Sequence, residues 1–362
     1  MSSVRAVPVP GLPKALSPRW VIPIESAAGY GSAVPEKPEN KYDVVGIGNA
    51  IVDVIAQQED AFIDQFGLTK GSMELIDADR AVELYDAMTV LTETSGGSAG
   101  NTITGVASFG GSASFIGKVA DDHLGRVFAE DSTAQRVEFG VAPALEGEPT
   151  GRSMIVVTPD AERTMNTFLG AATTLYRSDI PEDIVANASI LYCEGYIWDI
   201  DVTKDAIRHA IEISKAAGNK ISFTLSDSFC VDRHFDEWHE LLNGEIDILF
   251  GNEEELMALT KADTHAEAIE AVRGRCEILC ATMGPAGSVI VTADETVEVP
   301  AVPVADVVDT TGAGDQYAAG VLYGISRGMS LYDAGMLGSK AAAEVIAHLG
   351  PRPAIALSEL LD

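Results

Sequence analysis

Short apolar runs recur along the chain from Tyr42 onward, with amphipathic stretches between them. "YDVVGIGNAIVDVIA" (42–56) reads as two strands joined at Gly46–Asn49. "SASFIGKVA" (112–120) and "SILYCEGY" (189–196) read as strands, the second a buried one. "DVTKDAIRHAIEISKAAG" (201–218) carries the apolar period of a helix and stops at Gly218. "KISFTLSD" (220–227), "IDILFGN" (246–252) and "EILCATMG" (277–284) are strand-like again, with helices expected over 253–260 and 264–275. A strand followed by a helix, repeated, leaves few folds open. Parallel strands need crossovers, crossovers are right-handed, and the helices then cover both faces of the sheet. The expectation is an α/β domain of three layers, α/β/α, around a mostly parallel sheet.

Two stretches break that rhythm. "GSMELID" (71–77) and "TGRSMIVVTPDAERTMNTFLGAA" (150–172) alternate apolar and polar residues and hold no crossover helix. They predict a small antiparallel sheet with one solvated face, a discontinuous lid drawn from about 57–80 and 140–172 of a domain spanning 41–362. Residues 1–40 differ again. They hold seven prolines and neither period, which predicts a disordered or loosely docked extension. Before Glu25 this extension is basic and free of acids, faintly like a transit peptide, but it lacks an amphipathic helix. A cytoplasmic protein is expected.

Charge narrows the partners. The chain has 362 residues, 24 of them basic and 55 acidic, for a formal net charge of -31. Such a surface disfavours nucleic acid and anionic membranes. A polyphosphate ligand would have to be met by backbone amides, a metal ion or a few placed cations. The four cysteines (Cys193, Cys230, Cys276, Cys280) fit neither a redox CxxC nor a zinc pattern, and buried reduced thiols are expected.

The chemistry is concentrated in a few motifs. "DVVDTTGAGDQYAAG" (306–320) runs from a strand-like segment through Thr310-Thr311-Gly312-Ala313-Gly314 into a helix. A glycine turn at a helix N-terminus offers free amides and the positive dipole end to an anion. The alternative is a plain turn whose glycines supply positive φ, with Asp315 a helix-start acid. Neither GxxxxGK[ST] nor a full GxGxxG is present. "SGGSAGNT" (95–102) supplies Gly96, Gly97, Ser98 and Asn101; Asn49 and Asp53 follow the first strand. Carboxylate and amide groups suit vicinal hydroxyls, although Asp53 could equally be a strand-end aspartate. Asn252 and Glu255 have capping-box spacing and are also placed to hold a hydrated Mg2+. "TMGPAGS" (282–288) is either a hairpin or a nucleotide contact.

In this order the motifs resemble the ribokinase-like (PfkB) carbohydrate kinase superfamily, from about Tyr42 to Pro353. Asp309-Thr-Thr-Gly-Ala-Gly-Asp315 is the most specific part, and "FIGKVADDHLG" (115–125) resembles a further signature, with Ala120 where glycine is usual. The N-x-x-x-D spacing of Asn49 and Asp53 and the "GGSAGN" run look most like the adenosine kinase branch. The resemblance implies a ribokinase-like domain with a β-lid and ATP-dependent phosphorylation of a nucleoside 5'-hydroxyl, adenosine to AMP, within purine salvage. Asn49, Asp53, Gly96, Gly97, Ser98 and Asn101 would hold the ribose. Asp315 would be the base, and the amides of Gly312, Ala313 and Gly314 the anion hole. Thr282, Gly284, Gly287, Thr310 and Asn252 would face ATP, and Asn252 with Glu255 would organise Mg2+ through water. Arg163 in the lid would meet the transferring phosphoryl group, unless it is a solvated strand arginine. Tyr196 and Trp198 fall near the expected base pocket, with buried packing as the simpler reading. A sugar kinase (ribose, fructose or a keto-deoxy sugar acid) and a non-catalytic kinase-like module are the alternatives. A monomer or homodimer is expected.

Overall fold

A computed structural model describes residues 41–160 and 162–361; the expected extension at 1–40 lies outside them. In chain order the strands are β1 (Tyr42–Ile47), β2 (Ile51–Gln57), β3 (Met73–Leu75), β4 (Thr92–Ser95), β5 (Ala113–Ile116), β6 (Val137–Phe139) and β7 (Gly151–Val157). Then come β8 (Arg163–Phe168), β9 (Ala188–Glu194), β10 (Lys220–Thr224), β11 (Ile248–Asn252), β12 (Ile278–Thr282), β13 (Ser288–Val291) and β14 (Thr296–Val299).

Nine of them form one sheet in the order β14-β13-β12-β11-β10-β9-β1-β5-β6. From β12 to β6 every pairing is parallel, as in Val45 against Leu191 and Ser114. Only the β12–β13–β14 edge is antiparallel. The central strands are mostly apolar because both faces are covered, whereas the edge strands β14 and β6 expose Glu298 and Glu138. Val44, Phe115, Tyr192 and Phe250 share one core with the helices Ser98–Ser108 and Ala313–Ser326. Their neighbours Val45, Leu191, Phe223 and Leu249 share the other core with Asp201–Ala216, Phe235–Leu242, Glu253–Thr260 and His265–Val272. The period of two along each strand thus separates the two layers. The α/β expectation holds.

The second sheet has the order β3-β8-β7-β2-β4. It is mixed rather than antiparallel, since β2–β7 and β3–β8 run parallel. It also recruits β4, which lies wholly outside the segments expected for it, and β2, which touches them only at Gln57. The reason is that the chain leaves the large sheet at Gly48 and enters the small one at once. Val52, Val54 and Ala56 on one face are buried with Phe62, Ile63, Ala81 and Leu84 from two helices, Asp60–Phe66 and Ala78–Ala87. Among the described residues no helix is long and apolar enough to cross a membrane.

Candidate active site

Strands β1, β9, β10, β11 and β12 end on the same side of the large sheet. Their exits carry Asn49, Glu194, Ser226, Asn252 and Thr282. At β1 the strand order reverses, with β5 on one flank and β9 on the other. Such a switch point leaves a crevice at the strand ends where ligands of open α/β sheets bind.

The helix Ser98–Ser108 begins at this crevice. Its N-cap, Gly97, has φ 87° and no side chain, and a Cβ there would come 2.3 Å from the Asn49 carbonyl. A Cβ on Gly96 would sit 2.7 Å from the Asp53 carboxyl. Both glycines therefore let β4 and the helix close on the β1–β2 crossing. Just inside, Ser98 Oγ donates to Asp315 Oδ1 (2.7 Å) and Asn101 Nδ2 donates to Asp315 Oδ2 (3.0 Å). Burial pushes the Asp315 carboxyl up to about 6; these two bonds and the Arg352 charge hold it from going higher. Asp53 is likewise raised to about 6 by burial, against the charges of Arg352 and Arg163. Ser98 and Asn101 thus meet the glycine-turn helix at the Asp315 carboxylate, and Asp53 lies close enough to feel its charge.

Two residues that the motifs do not mark complete this wall. Glu194, 1% exposed, accepts from the amides of Asn49 (2.8 Å) and Ala99 (2.8 Å). Burial pushes it up to about 7. Arg352 donates from Nε to Asn101 Oδ1 (3.0 Å) and from Nη2 to Ser95 Oγ (2.9 Å). An acid closing a buried strand, and an arginine within "GPRP", were the available signals.

The glycine turn is built as its sequence suggests. Gly312 caps the helix Ala313–Ser326 with φ 80° and no side-chain bond. A Cβ there would strike Pro351 at 2.6 Å, whereas a Cβ on Gly314 would meet nothing within 4 Å. The Ala313 amide is turned onto Thr310 O (3.2 Å). Asp309 holds the turn from outside: it accepts from Thr311 N (3.0 Å) and Gly350 N (2.9 Å) and is ion-paired with Arg163. Burial would raise its pKa, but these bonds and the arginine outweigh it and hold the carboxyl below its ordinary value. Arg163 is therefore not a solvated strand residue; its side chain is 8% exposed, Nη1 meets Asp309, and Nε and Nη2 are buried with no protein partner.

Beside the turn opens a cavity of about 640 Å³. Thr282, Gly284 and Gly287 line it from the β12–β13 hairpin, and Thr310, Ala313 and Gly314 from the turn. Val302, Val304, Val307, Ala343 and Ile346 supply an apolar wall. Gly312 is not part of this lining, because it faces Pro351.

Asn252 and Glu255 make a complete capping box on the helix Glu253–Thr260. Glu255 accepts from Asn252 N (2.9 Å) and Nδ2 (2.8 Å), and Asn252 Oδ1 accepts from Glu255 N (2.9 Å). Each carboxylate oxygen keeps a further lone pair. Burial pushes the Glu255 carboxyl up to about 7, so a nearby cation would relieve it. Among the described residues no three His, Cys, Asp or Glu side chains cluster as a metal cage. That donor set fits a magnesium ion that retains its water. Trp198 is packed against Phe223 and Trp238, and the Tyr196 hydroxyl donates to Ser226 O (3.1 Å), so packing accounts for both.

The chain is similar to known proteins along most of its length. The model of the pfkB family of carbohydrate kinases matches residues 60–356. Among solved structures, the adenosine kinase from Sinorhizobium meliloti is 49% identical, with a TM-score of 0.82 over 88% of this chain and 98% of its own. A probable sugar kinase from Rhizobium etli is 46% identical, with a TM-score of 0.82 over 89% and 98%. The guanosine-inosine kinase of Escherichia coli is 27% identical over 69% of this chain, and the match spans only 61% of that relative's length.

Proposed function

The chain belongs to the pfkB family of carbohydrate kinases, and from that premise we propose that it transfers the γ-phosphoryl group of ATP to the 5'-hydroxyl of a nucleoside, adenosine first. One observation carries the reading. Ser98 and Asn101, from the acceptor motif, both bond Asp315, which sits on the first turn of the anion-facing helix. A hydroxyl held by Asn49, Asp53 and Asn101 would lie beside a carboxylate, at a helix N-terminus where phosphate charge is welcome.

Asp315 accepts the hydroxyl proton as the oxygen attacks phosphorus in line and the bond to ADP breaks. With its pKa near 6 the carboxylate is ionised at neutral pH. It is a weak base for a free alcohol, so the proton leaves late, after P–O bonding has made the hydroxyl acidic. The amides of Gly312 and Gly314 take up the charge on the equatorial oxygens, whereas that of Ala313 is already engaged by Thr310 O. The 640 Å³ cavity takes the adenine and ribose of ATP, with Thr282, Gly284 and Gly287 along one side. Magnesium, held through water by Asn252 and Glu255, supplies positive charge at the phosphates when bound.

The N-x-x-x-D spacing and the likeness to an adenosine kinase at 49% identity support a nucleoside acceptor. The likeness to a probable sugar kinase at 46% identity keeps a sugar acceptor as the second reading. An ADP-release assay with adenosine, guanosine, inosine, ribose and fructose decides between them. The expected result is a kcat/KM for adenosine at least about 100-fold above ribose and fructose, as buried hydrogen-bonding sites discriminate. Preference for a free sugar overturns the nucleoside acceptor. ATP binding without turnover on any of the five overturns the kinase reading.

A further inference from the structure

The C-terminal arm folds back over the anion turn. Gly350 N donates to Asp309, and the Pro351 carbonyl accepts from Gln316 Nε2 (3.1 Å) while its ring region fills the space a Gly312 side chain would need. Arg352 then turns inward. Its side chain is 15% exposed and reaches Asn101, Ser95 and, at 3.6 Å, Asp131. We propose that Arg352 is a positioning residue for the transfer site, fixing through Asn101 the orientation of Asp315 and supplying the cation that lets Asp53 and Asp315 stand ionised together. The proposal rests on the reading of Asp315 as the base.

A guanidinium only donates, so the Asn101 end that meets Arg352 Nε must be Oδ1. The other end, Nδ2, is thereby presented to Asp315. Without Arg352 only the Asp315 carboxylate would hold the amide, from one end, and its Oδ1 would lose the donor that fixes the other end. The backbone is already fixed, because Gln316 Nε2 donates to Asn101 O (3.1 Å). Only the side-chain amide depends on the arginine. A lysine has the charge but not the planar fork that meets Asn101 and Ser95 together.

Titratable groups face the site from several elements. Asp53 comes from β2, Glu194 and the Tyr192 phenol from β9, Asp131 from the helix His123–Ala134, and Asp315 from its own helix. Tyr196 adds a second phenol from the 3-10 turn Gly195–Asp199 that follows β9. Against four carboxyls stand two arginines, and Arg163 is engaged by Asp309. Asp131 is itself anchored by Ser95 N (3.0 Å), Ser95 Oγ (2.6 Å) and Thr94 Oγ1 (3.1 Å). It draws part of Arg352's charge away from Asp53 and Asp315, so it acts in the opposite sense to the arginine.

The test is the acid limb of kcat against pH in wild type, R352Q, R352K and D131N, each checked for folding by thermal melting, with D315N as reference. Wild type should lose activity as pH falls through about 6, as Asp315 takes up a proton. Losing a nearby cation raises a carboxyl's pKa, so in R352Q the limb should move up by about one pH unit. R352K should keep the limb but lose about three- to ten-fold in kcat, because Asn101 is no longer oriented. D131N should move the limb down by a few tenths of a unit. An unmoved limb in R352Q overturns the charge role, and wild-type kcat in R352K overturns the orientation role. If R352Q does not fold, an unmoved limb in D131N overturns the charge role instead. Normal turnover in D315N would instead sink the base reading itself, while an inactive D315N beside an unmoved limb sinks the role of Arg352 alone.

Discussion

On one side of the crevice, buried polar side chains hold one another. Asp315 is bonded by Ser98 and Asn101, Asn101 by Arg352, and Glu194 caps the amides of Asn49 and Ala99. On the other side, a cavity of about 640 Å³ is walled by valine, alanine and isoleucine, with a hairpin and a glycine turn along its rim. The first wall discriminates by directed hydrogen bonds, where one wrong group leaves another unpaired at a cost of about 1–3 kcal/mol. The second holds by area and shape, which tolerate small changes. Substitutions should therefore act sharply and selectively on the polar wall, and gently on the apolar cavity.

The largest expected effect is at the point where the walls meet. Asp315→Asn removes the proton acceptor but keeps the shape and one hydrogen-bonding oxygen. Steady-state kinetics should show kcat lowered by about 10²–10⁴. The dissociation constant for ATP, measured by calorimetry, should change by less than about three-fold, because the cavity is untouched. Loss of ATP binding to the same degree as turnover would erase the distinction between the walls. Next comes Asp53→Asn, which replaces a two-oxygen acceptor beside Gly96 with an amide. The acceptor's kcat/KM should fall by about 100-fold, and the KM for ATP should stay within about two-fold.

Glu194→Gln tests the wall's support rather than its surface. The glutamate accepts two backbone amides, so a glutamine must turn its NH2 toward one of them. Chemical unfolding at pH 5 should show a loss of about 1–3 kcal/mol. Its pH dependence has a definite sign. The folded pKa is about 7 and the ordinary value 4.5, so the folded state holds this proton more tightly than the unfolded chain. The resulting stability is complete below 4.5 and is lost as pH rises through 7. The wild type should thus lose part of its advantage over the glutamine variant between pH 5 and pH 8. A difference that is constant across that range would show that Glu194 does not titrate as its burial implies.

The two walls were also unequally readable. The period of apolar runs fixed the parallel sheet and its two cores, because the central strands β5, β1, β9, β11 and β12 bury both faces and show it in composition. The glycine turn and "SGGSAGNT" were readable for a different reason, since close backbone approach demands glycine at fixed points. The mixed pairing of the small sheet was not, because the chain between the parallel strands β2 and β7 passes through the large sheet at β5 and β6 rather than crossing over in one local unit. Glu194 was hidden inside an ordinary strand, and Arg352 inside a proline-flanked tail. Both act at long range, across 145 and 251 residues of chain, so no local pattern records them. Asp309, an unexplained acid beside a phosphate-facing turn, became intelligible only once Arg163 and Gly350 were seen to converge on it.

The smallest effect is expected at Gly314, and it separates fold from function within one turn. Gly312 has φ 80° and no room for a side chain, so it is glycine for the backbone's sake. Gly314 sits within the helix, has no such φ, and faces open space. Alanine favours a helix over glycine by up to about 1 kcal/mol, so Gly314→Ala should leave the melting temperature unchanged or slightly raised. Any loss must then come from a methyl group standing where a ligand would lie. The KM for ATP should rise by about three- to ten-fold while the KM for the acceptor holds, since the polar wall does not touch this position. If instead the acceptor's KM rises and that for ATP does not, the turn serves the polar wall, and the cavity must find its phosphate contacts elsewhere along its rim.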